Sequence, residues 1–332
     1  MNTRRVSVLF FALFAALCAL SLASLRTGFA DMGFTQMLRV LSGSEKDEVL
    51  RTLLFEIRLP RLFAGIFAGA SLAAAGAAMQ TLFRNPLADP SITGVSSGAA
   101  LGAAVSIFLF SSAFISLQLF ALAFGLAAAF AVWRLGRVDG RISAFSMLLA
   151  GIAVNAFCGA LVGYAMYGVR EAGLKGFIFW SLGSLDGASW GPLAAASAVA
   201  SAAWLVLMLN ARGLNMLTLG REGAYHSGAD VGRLQMLAVL CASLMTASCV
   251  ALCGVIGFVG LVVPHIVRML SGPDNRSLIP LSSLGGACLL VFADIISRLA
   301  NPTDNVPIGV ITALIGAPFF IFLLRRPGNA GA

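Results

Sequence analysis

Charge is what this sequence has least of. Only 11% of its 332 residues are Asp, Glu, Lys or Arg, against 59% hydrophobic residues. A soluble domain carries about 25% charged residues, so these few cannot cover a water-facing surface of this size. Lysine is nearly absent, with only Lys46 and Lys175, and neither sits in a Gly-Lys-Ser or Gly-Lys-Thr sequence. A phosphate-binding loop needs that lysine, so the chain is not a P-loop ATPase. Histidine is limited to His226 and His265, in separate loops, which argues against a metal or haem ligand pair. The six cysteines (Cys18, Cys158, Cys241, Cys249, Cys253 and Cys288) all lie in apolar runs. They match no zinc spacing and no extracellular disulfide framework, and read as small core residues.

Long runs without charge are plentiful. They cover residues 6–25, 62–83, 90–133, 142–169, 187–211, 234–267, 277–293 and 305–324. A helix needs roughly 20 apolar residues to cross the hydrocarbon layer. The run at 90–133 holds two crossings, divided by Ser111 and Ser112, and the run at 234–267 holds one and part of another. The pattern predicts an all-α integral membrane protein with about ten transmembrane helices, in one domain over 1–332. The approximate spans are 6–25, 62–83, 91–110, 113–133, 142–167, 188–210, 233–253, 256–270, 279–297 and 306–324. A signal peptide is the alternative for the first span; its length and the lack of a small-x-small cleavage site favour a retained helix.

The basic residues fix the orientation. Arg4 and Arg5 begin the chain, and Arg325 and Arg326 nearly end it. Lys and Arg beside membrane helices prefer the cytoplasm, so both termini are expected there, which requires an even count. Ten crossings place thirteen basic residues and five acids inside, and equal numbers of each outside. The net charge of +8 is therefore a topology signal, and no nucleic-acid partner is needed to explain it.

Small residues and helix breakers mark the interior. Gly65, Gly69, Ala73 and Ala77 recur every four residues, a smooth stripe that permits close helix contact and points to a central helix. Asn85-Pro86 with Asp89-Pro90, and Gly254, Gly257, Gly260 and Pro264, break the chain in its two halves. Such breaks are tolerated at membrane depth only where protein or water covers the freed backbone. Residues 173–185 are apolar but too short to span, and read as an external re-entrant or surface helix. Residues 212–233 form the largest internal loop, with room for short helices lying flat on the membrane face. The long spans hold no deep ionisable residue of the kind ion-coupled carriers use. This disfavours an ion-coupled secondary transporter and leaves no carboxylate pair for membrane-embedded hydrolysis. What remains is a pathway former without a motor of its own.

Four blocks carry a family resemblance. The first is Arg58-Leu-Pro-Arg61, Gly76 to Gln80, Arg84-Asn-Pro-Leu-Ala-Asp-Pro90 and Gly94-Val-Ser-Ser-Gly98-Ala99. The second is Gly257-Phe-Val-Gly-Leu-Val-Val-Pro264-His265 with Arg268, and the third is Trp180-Ser-Leu-Gly183-Ser184. The fourth runs from Val306-Pro-Ile-Gly309 to Gly316-Ala-Pro318-Phe319. Together they resemble the FecCD-type permeases, the membrane subunits of type II ABC importers for iron-siderophore, haem or cobalamin.

The resemblance implies a paired permease, expected here as a homodimer in lipid in the bacterial inner (cytoplasmic) membrane. Two separate ATPase subunits and a periplasmic or surface substrate-binding protein would complete it. This chain would hold no cofactor and be no enzyme, ATP and Mg binding the ATPase. The implied cargo is haem or a ferric siderophore, with cobalamin as the alternative. Arg58, Arg61 and Arg298 match the outer-face arginines that receive acids of the binding protein. Gly220, Arg221, Ala224, Gly228 and Ala229 match the small-residue loop seated on the ATPase. By position, Ser96, Ser97, Ser146 and Asn155 fall on the translocation pathway. Where many relatives carry an acid before Val306, this chain has Asn305.

Overall fold

The computed structural model of the protein describes residues 3–28, 33–44, 47–110, 114–138, 141–301 and 305–324. Ser111, Ser112, Arg325 and Arg326 lie outside the described residues. Most of the described residues are helical, as lipid demands of a backbone that must satisfy its own polar groups. The chain opens with α1 (Thr3–Arg26), then the short α2 (Phe34–Leu41) and α3 (Glu48–Thr52). A π-helical turn, Leu53–Arg58, joins α3 without interruption to α4 (Leu59–Phe83). A 3-10 turn at Pro90–Thr93 leads into α5 (Val95–Phe110), followed by α6 (Phe114–Leu135). A two-residue hairpin pairs β1 (Arg137–Val138) with β2 (Arg141–Ile142). Next come α7 (Ala144–Tyr167), α8 (Glu171–Ser181), α9 (Trp190–Leu209), α10 (Ala211–Leu217) and α11 (Gly220–His226). The chain finishes with α12 (Val231–Cys253), α13 (Val259–Ser271), α14 (Asn275–Ala300) and α15 (Ile308–Leu324). Among the described residues, seven helices are long and apolar enough to cross a membrane, and α5, α13 and α15 are shorter apolar helices.

The small-residue stripe explains the centre. The helix α4 is buried along most of its length, because Gly69 and Gly286 let α4 and α14 meet backbone to backbone. A Cβ on Gly69 would lie 2.9 Å from the Ala287 Cα, and one on Gly286 would lie 2.6 Å from the Ala73 Cβ. Two turns further, Gly76 makes the same close approach to Gly260 of α13, where a Cβ would sit 2.7 Å from the Gly260 Cα. The buried Gln80 then donates its amide to the Leu261 carbonyl, at 3.1 Å. The main core gathers α4, α9, α12, α13 and α14 around these crossings, with Cys241, Cys249 and Cys253 inside it. The first helix, α1, lies against this core through Val6, Leu9 and Leu13.

Two elements run past their expected ends. The second crossing, expected from residue 62, is continuous helix from Glu48; Arg51, Glu56, Arg58 and Arg61 read as extramembrane in sequence, but helix geometry does not stop at a charge. The helix α14, expected over 279–297, reaches Ala300 and carries Asp294 within it, 2% exposed. The charge-free run ends at Ala293, so Asp294 counts with the external acids in the charge balance although the expected span 279–297 contains it. It is instead a buried acid held by arginines.

Candidate functional site

The candidate site residues gather mainly at the two ends of the bundle. At one end α1 stops, α4 begins and α14 stops. The last carbonyls of α1 have no intrahelical donor and form the negative pole of the helix dipole. Two guanidiniums fill that position. Arg298 donates from Nη1 to the Ser24 carbonyl at 2.9 Å and the Thr27 carbonyl at 2.6 Å, and from Nη2 to the Ser24 hydroxyl at 2.7 Å. Arg58 donates to the Leu25 carbonyl. Asp294 sits between two of the cations, paired with Arg298 at 2.9 Å and with Arg61 at 2.8 Å. Arg61 also pairs with Asp186, an acid in the loop after α8 that remains 48% exposed. Asp186 accepts in addition from Asn305 Nδ2 at 2.9 Å and from the Ser184 hydroxyl at 3.0 Å. An acid at position 305 could not make that bond.

The sequence reading placed Arg58, Arg61 and Arg298 on an outer surface. Arg58 and Arg298 are instead buried, at 6% and 8% exposure, because their charge is used to close α1 and to neutralise Asp294. Asp186 forms the accessible edge of the cluster, while the side chain of its partner Arg61 is only 11% exposed. Asp294 and Asp186 were the members that sequence reasoning did not find. The signal that would have found Asp294 is its i,i+4 spacing to Arg298 on one helix.

The third family block meets the start of the fourth, and the stretch that leads into the second, at the same end. The loop of Trp180-Ser-Leu-Gly183-Ser184 threads between the end of α12 and the start of α15. The Ser184 N–H donates to the Cys253 carbonyl at 2.8 Å, the Ile308 N–H to Gly183 at 2.9 Å and the Gly309 N–H to Leu182 at 3.0 Å. One loop thus caps two helix termini with backbone alone. The approach requires glycine: Gly254, at φ +72°, has its missing Cβ 3.2 Å from the Gly183 Cα and closer still to the Trp180 carbonyl. Residues 254–257 are unwound, and Phe258 begins α13 in the left-handed region at φ +67°. That conformation costs a bulky residue roughly 1–2 kcal/mol. Packing of its ring over Gly316 of α15 holds it in place.

At the opposite end, residues 211–229 fold as two short helices. Gly220 and Gly228 both have φ near +80° and bracket α11. Ala224 is fully buried and Ala229 packs on the main core. The Arg221 side chain lies outside the described residues. A Cβ on Gly220 would lie 3.1 Å from Nη1 of Arg84, which ends α4 in the left-handed region at φ +48°.

Of the expected pathway residues, the structure joins two. The Ser97 hydroxyl on α5 bonds Asn155 Oδ1 on α7, and Gly94 leaves room for the contact, its missing Cβ lying 3.7 Å from the same oxygen. Ser96 and Ser146 are partly exposed; the Ser146 N–H is capped by the Ser143 hydroxyl at 3.3 Å, and neither joins the Ser97–Asn155 pair. Phe145, Phe157, Tyr164 and Tyr167 leave α7 with a large exposed apolar face, Tyr167 at 94% exposure.

The comparison with known families decides the identity. The model of the FecCD transport family matches residues 14–326. The chain belongs to the FecCD transport family. A cobalamin import system permease, BtuC of Halobacterium salinarum, is 44% identical over 278 residues, covering 84% of this chain and 74% of that protein. A hemin transport system permease, HmuU of Yersinia pestis, is 40% identical over 311 residues, covering 92% of this chain and 93% of that protein. A solved structure of an ABC transporter assigned to the metal-chelate type, in an inward-facing conformation, superposes with a TM-score of 0.85. It is 30% identical, and the match covers 96% of this chain and 98% of that one. This FecCD-family chain is a multi-pass permease subunit of an ATP-binding-cassette importer, a machine that also needs an ATPase and a substrate-binding protein.

Proposed function

We propose that this permease imports a metal-tetrapyrrole chelate, haem first. The carrying observation is the 40% identity to a hemin permease over nearly the full length of both chains. Cobalamin import is the second reading, favoured by the 44% identity to a cobalamin permease. In the proposed mechanism the binding protein docks at the arginine end, where Asp186 is reachable and pairs with Arg61. Two ATPase subunits seat against residues 211–229 and supply all the nucleotide chemistry; the chain itself binds no cofactor and catalyses no reaction. Their closure moves the helices and alternates access, and the solute passes unchanged. Two copies of the chain enclose the pathway, with Ser97 and Asn155, then Ser96 and Ser146, toward it. The exposed apolar face of α7 suits a second copy on one side and lipid on the other. The protein resides in the cytoplasmic membrane with both termini inside.

The test is ATP-driven uptake in proteoliposomes that hold this permease with its ATPase and loaded binding protein. Haem, cyanocobalamin and a ferric siderophore are offered separately. Haem uptake alone supports the first reading. Uptake of cyanocobalamin without haem replaces it with the second, and uptake of the siderophore alone overturns both.

A further inference from the structure

A polar network ties the 211–229 segment to the central helices. Asn215, on α10, places its Oδ1 where it accepts both the backbone N–H of Asn275 and the Asn275 amide Nδ2, each at 2.8 Å. Its own Nδ2 donates to Asp274 Oδ1 at 2.8 Å. Asn275 is the first residue of α14 and Asp274 is its N-cap, so a side chain from α10 satisfies one of the donors that the helix start leaves open. The chain of bonds continues inward. The Thr81 hydroxyl on α4 shares its one proton between the Ala77 carbonyl and Asn275 Oδ1, both at 2.9 Å. Thr81 is 1% exposed and Asn275 is fully buried.

The geometry of the link is directional. Its first member belongs to a two-turn helix beside the small-residue segment. Its second and third members are the start of α14 and the last turns of α4, the two helices that meet backbone to backbone at Gly69 and Gly286. A displacement of α10 cannot leave α14 behind without breaking the three hydrogen bonds from Asn215 to Asp274 and Asn275, where an unsatisfied buried partner costs more than the bond itself contributes. Nor can it move α14 without α4, because their packed crossing does not deform continuously. The helix α10 also meets the core through the buried Ala211, Leu214 and Leu217 and through Gly213 against Leu234; these contacts are apolar and non-directional, whereas the hydrogen bonds fix register and direction.

We infer that Asn215 is the positioning residue of the power stroke: through Asn275 and Thr81 it makes the ATPase-facing segment, α14 and α4 move as one body. This rests on the reading of residues 211–229 as the ATPase seat.

The experiment measures haem or cyanocobalamin taken up per ATP hydrolysed, in proteoliposomes of the complete importer. The variants are Asn215→Ala, which removes the link at its root, and Thr81→Val, which removes only its far end. Wild-type importer serves as the control for the functional reading: absence of ATP-driven uptake there overturns that reading and, with it, the inference. We expect both variants to retain ATP hydrolysis while uptake per ATP falls by about two- to thirty-fold, the span of coupling losses along such networks. A purely structural role would lower yield and melting temperature and leave the ratio unchanged. An unchanged ratio in Asn215→Ala overturns the inference. If that variant fails to assemble, the Thr81→Val ratio decides in the same way.

Discussion

The α4–α14 crossing gives the sharpest mechanical expectation. In Gly69→Ala the new Cβ would lie 2.6 Å from the Gly286 carbonyl carbon and 2.9 Å from the Ala287 Cα, whereas carbon atoms rest at about 3.5–4.0 Å. The shortfall is about 1 Å, and the three nearest atoms are all backbone, so no side-chain rotation relieves them. The two helix axes must separate, and Gly65 and Ala73 on the same stripe lose their contacts with them. Overpacking of a tight core costs about 1–3 kcal/mol, and the absence of a movable neighbour puts this change near the top of that range. Gly176→Ala on α8 is the control, since a Cβ there meets nothing within 4 Å and alanine is the better helix former. Unfolding is followed in detergent with a thiol-reactive fluorophore, reporting the exposure of the buried Cys241, Cys249 and Cys253. We expect the Gly69→Ala midpoint to fall by roughly 5 °C and the Gly176→Ala midpoint to hold or rise. A Gly69→Ala protein that melts with the wild type would refute the crossing.

Other outcomes follow from the two ends. Asp294→Ala leaves Arg61 and Arg298 without their shared carboxylate in a buried site, and should cost about 3–5 kcal/mol. Asp186→Ala removes a half-exposed partner and should cost about 1 kcal/mol or less; equal melting points for the two variants would contradict the burial of Asp294. Gly254→Ala forces the 180–184 loop away from α12, so hydrogen exchange at the Ile308 and Gly309 amides should quicken while α9 is unaffected. The Arg276 guanidinium beside Asp274 holds its carboxyl down to about 2. An acid with a lowered pKa stabilises the fold above its unfolded value of about 3.9 and loses that contribution as pH falls further. The stability advantage of the wild type over Asp274→Asn should therefore be constant above about pH 4 and vanish toward pH 2, as read by thermal melts at pH 5 and pH 2.5.

Local patterns in the chain carried much of this architecture. The charge-free runs and the four-residue stripe predict a membrane bundle with a glycine-lined central helix, because hydrophobic length and small-residue periodicity are local properties. Contacts between distant backbones are not local. Nothing in Gly309 or Gly254 alone points to Leu182 or Trp180, although the glycines are there to let those carbonyls approach. Asp294 escaped for a related reason: a charge reads as the end of a span until the two arginines that neutralise it are known to be within reach. Asn215 escaped because it lies in a polar segment with no periodicity, and its importance comes from Asn275, 60 residues away in sequence. Among the proposed pathway residues, position along the chain brings forward Ser97 and Asn155, which bond to each other, but does not separate them from Ser96 and Ser146, which do not join them.

The central claim is that this chain forms a pathway and borrows its energy. Vesicles containing the permease alone, and vesicles containing it with its ATPase and loaded binding protein, are compared for uptake under an ion gradient and under MgATP. We expect no uptake and no ATP hydrolysis from the permease alone, and MgATP-dependent uptake from the full assembly. Gradient-driven uptake by the isolated permease would contradict the account.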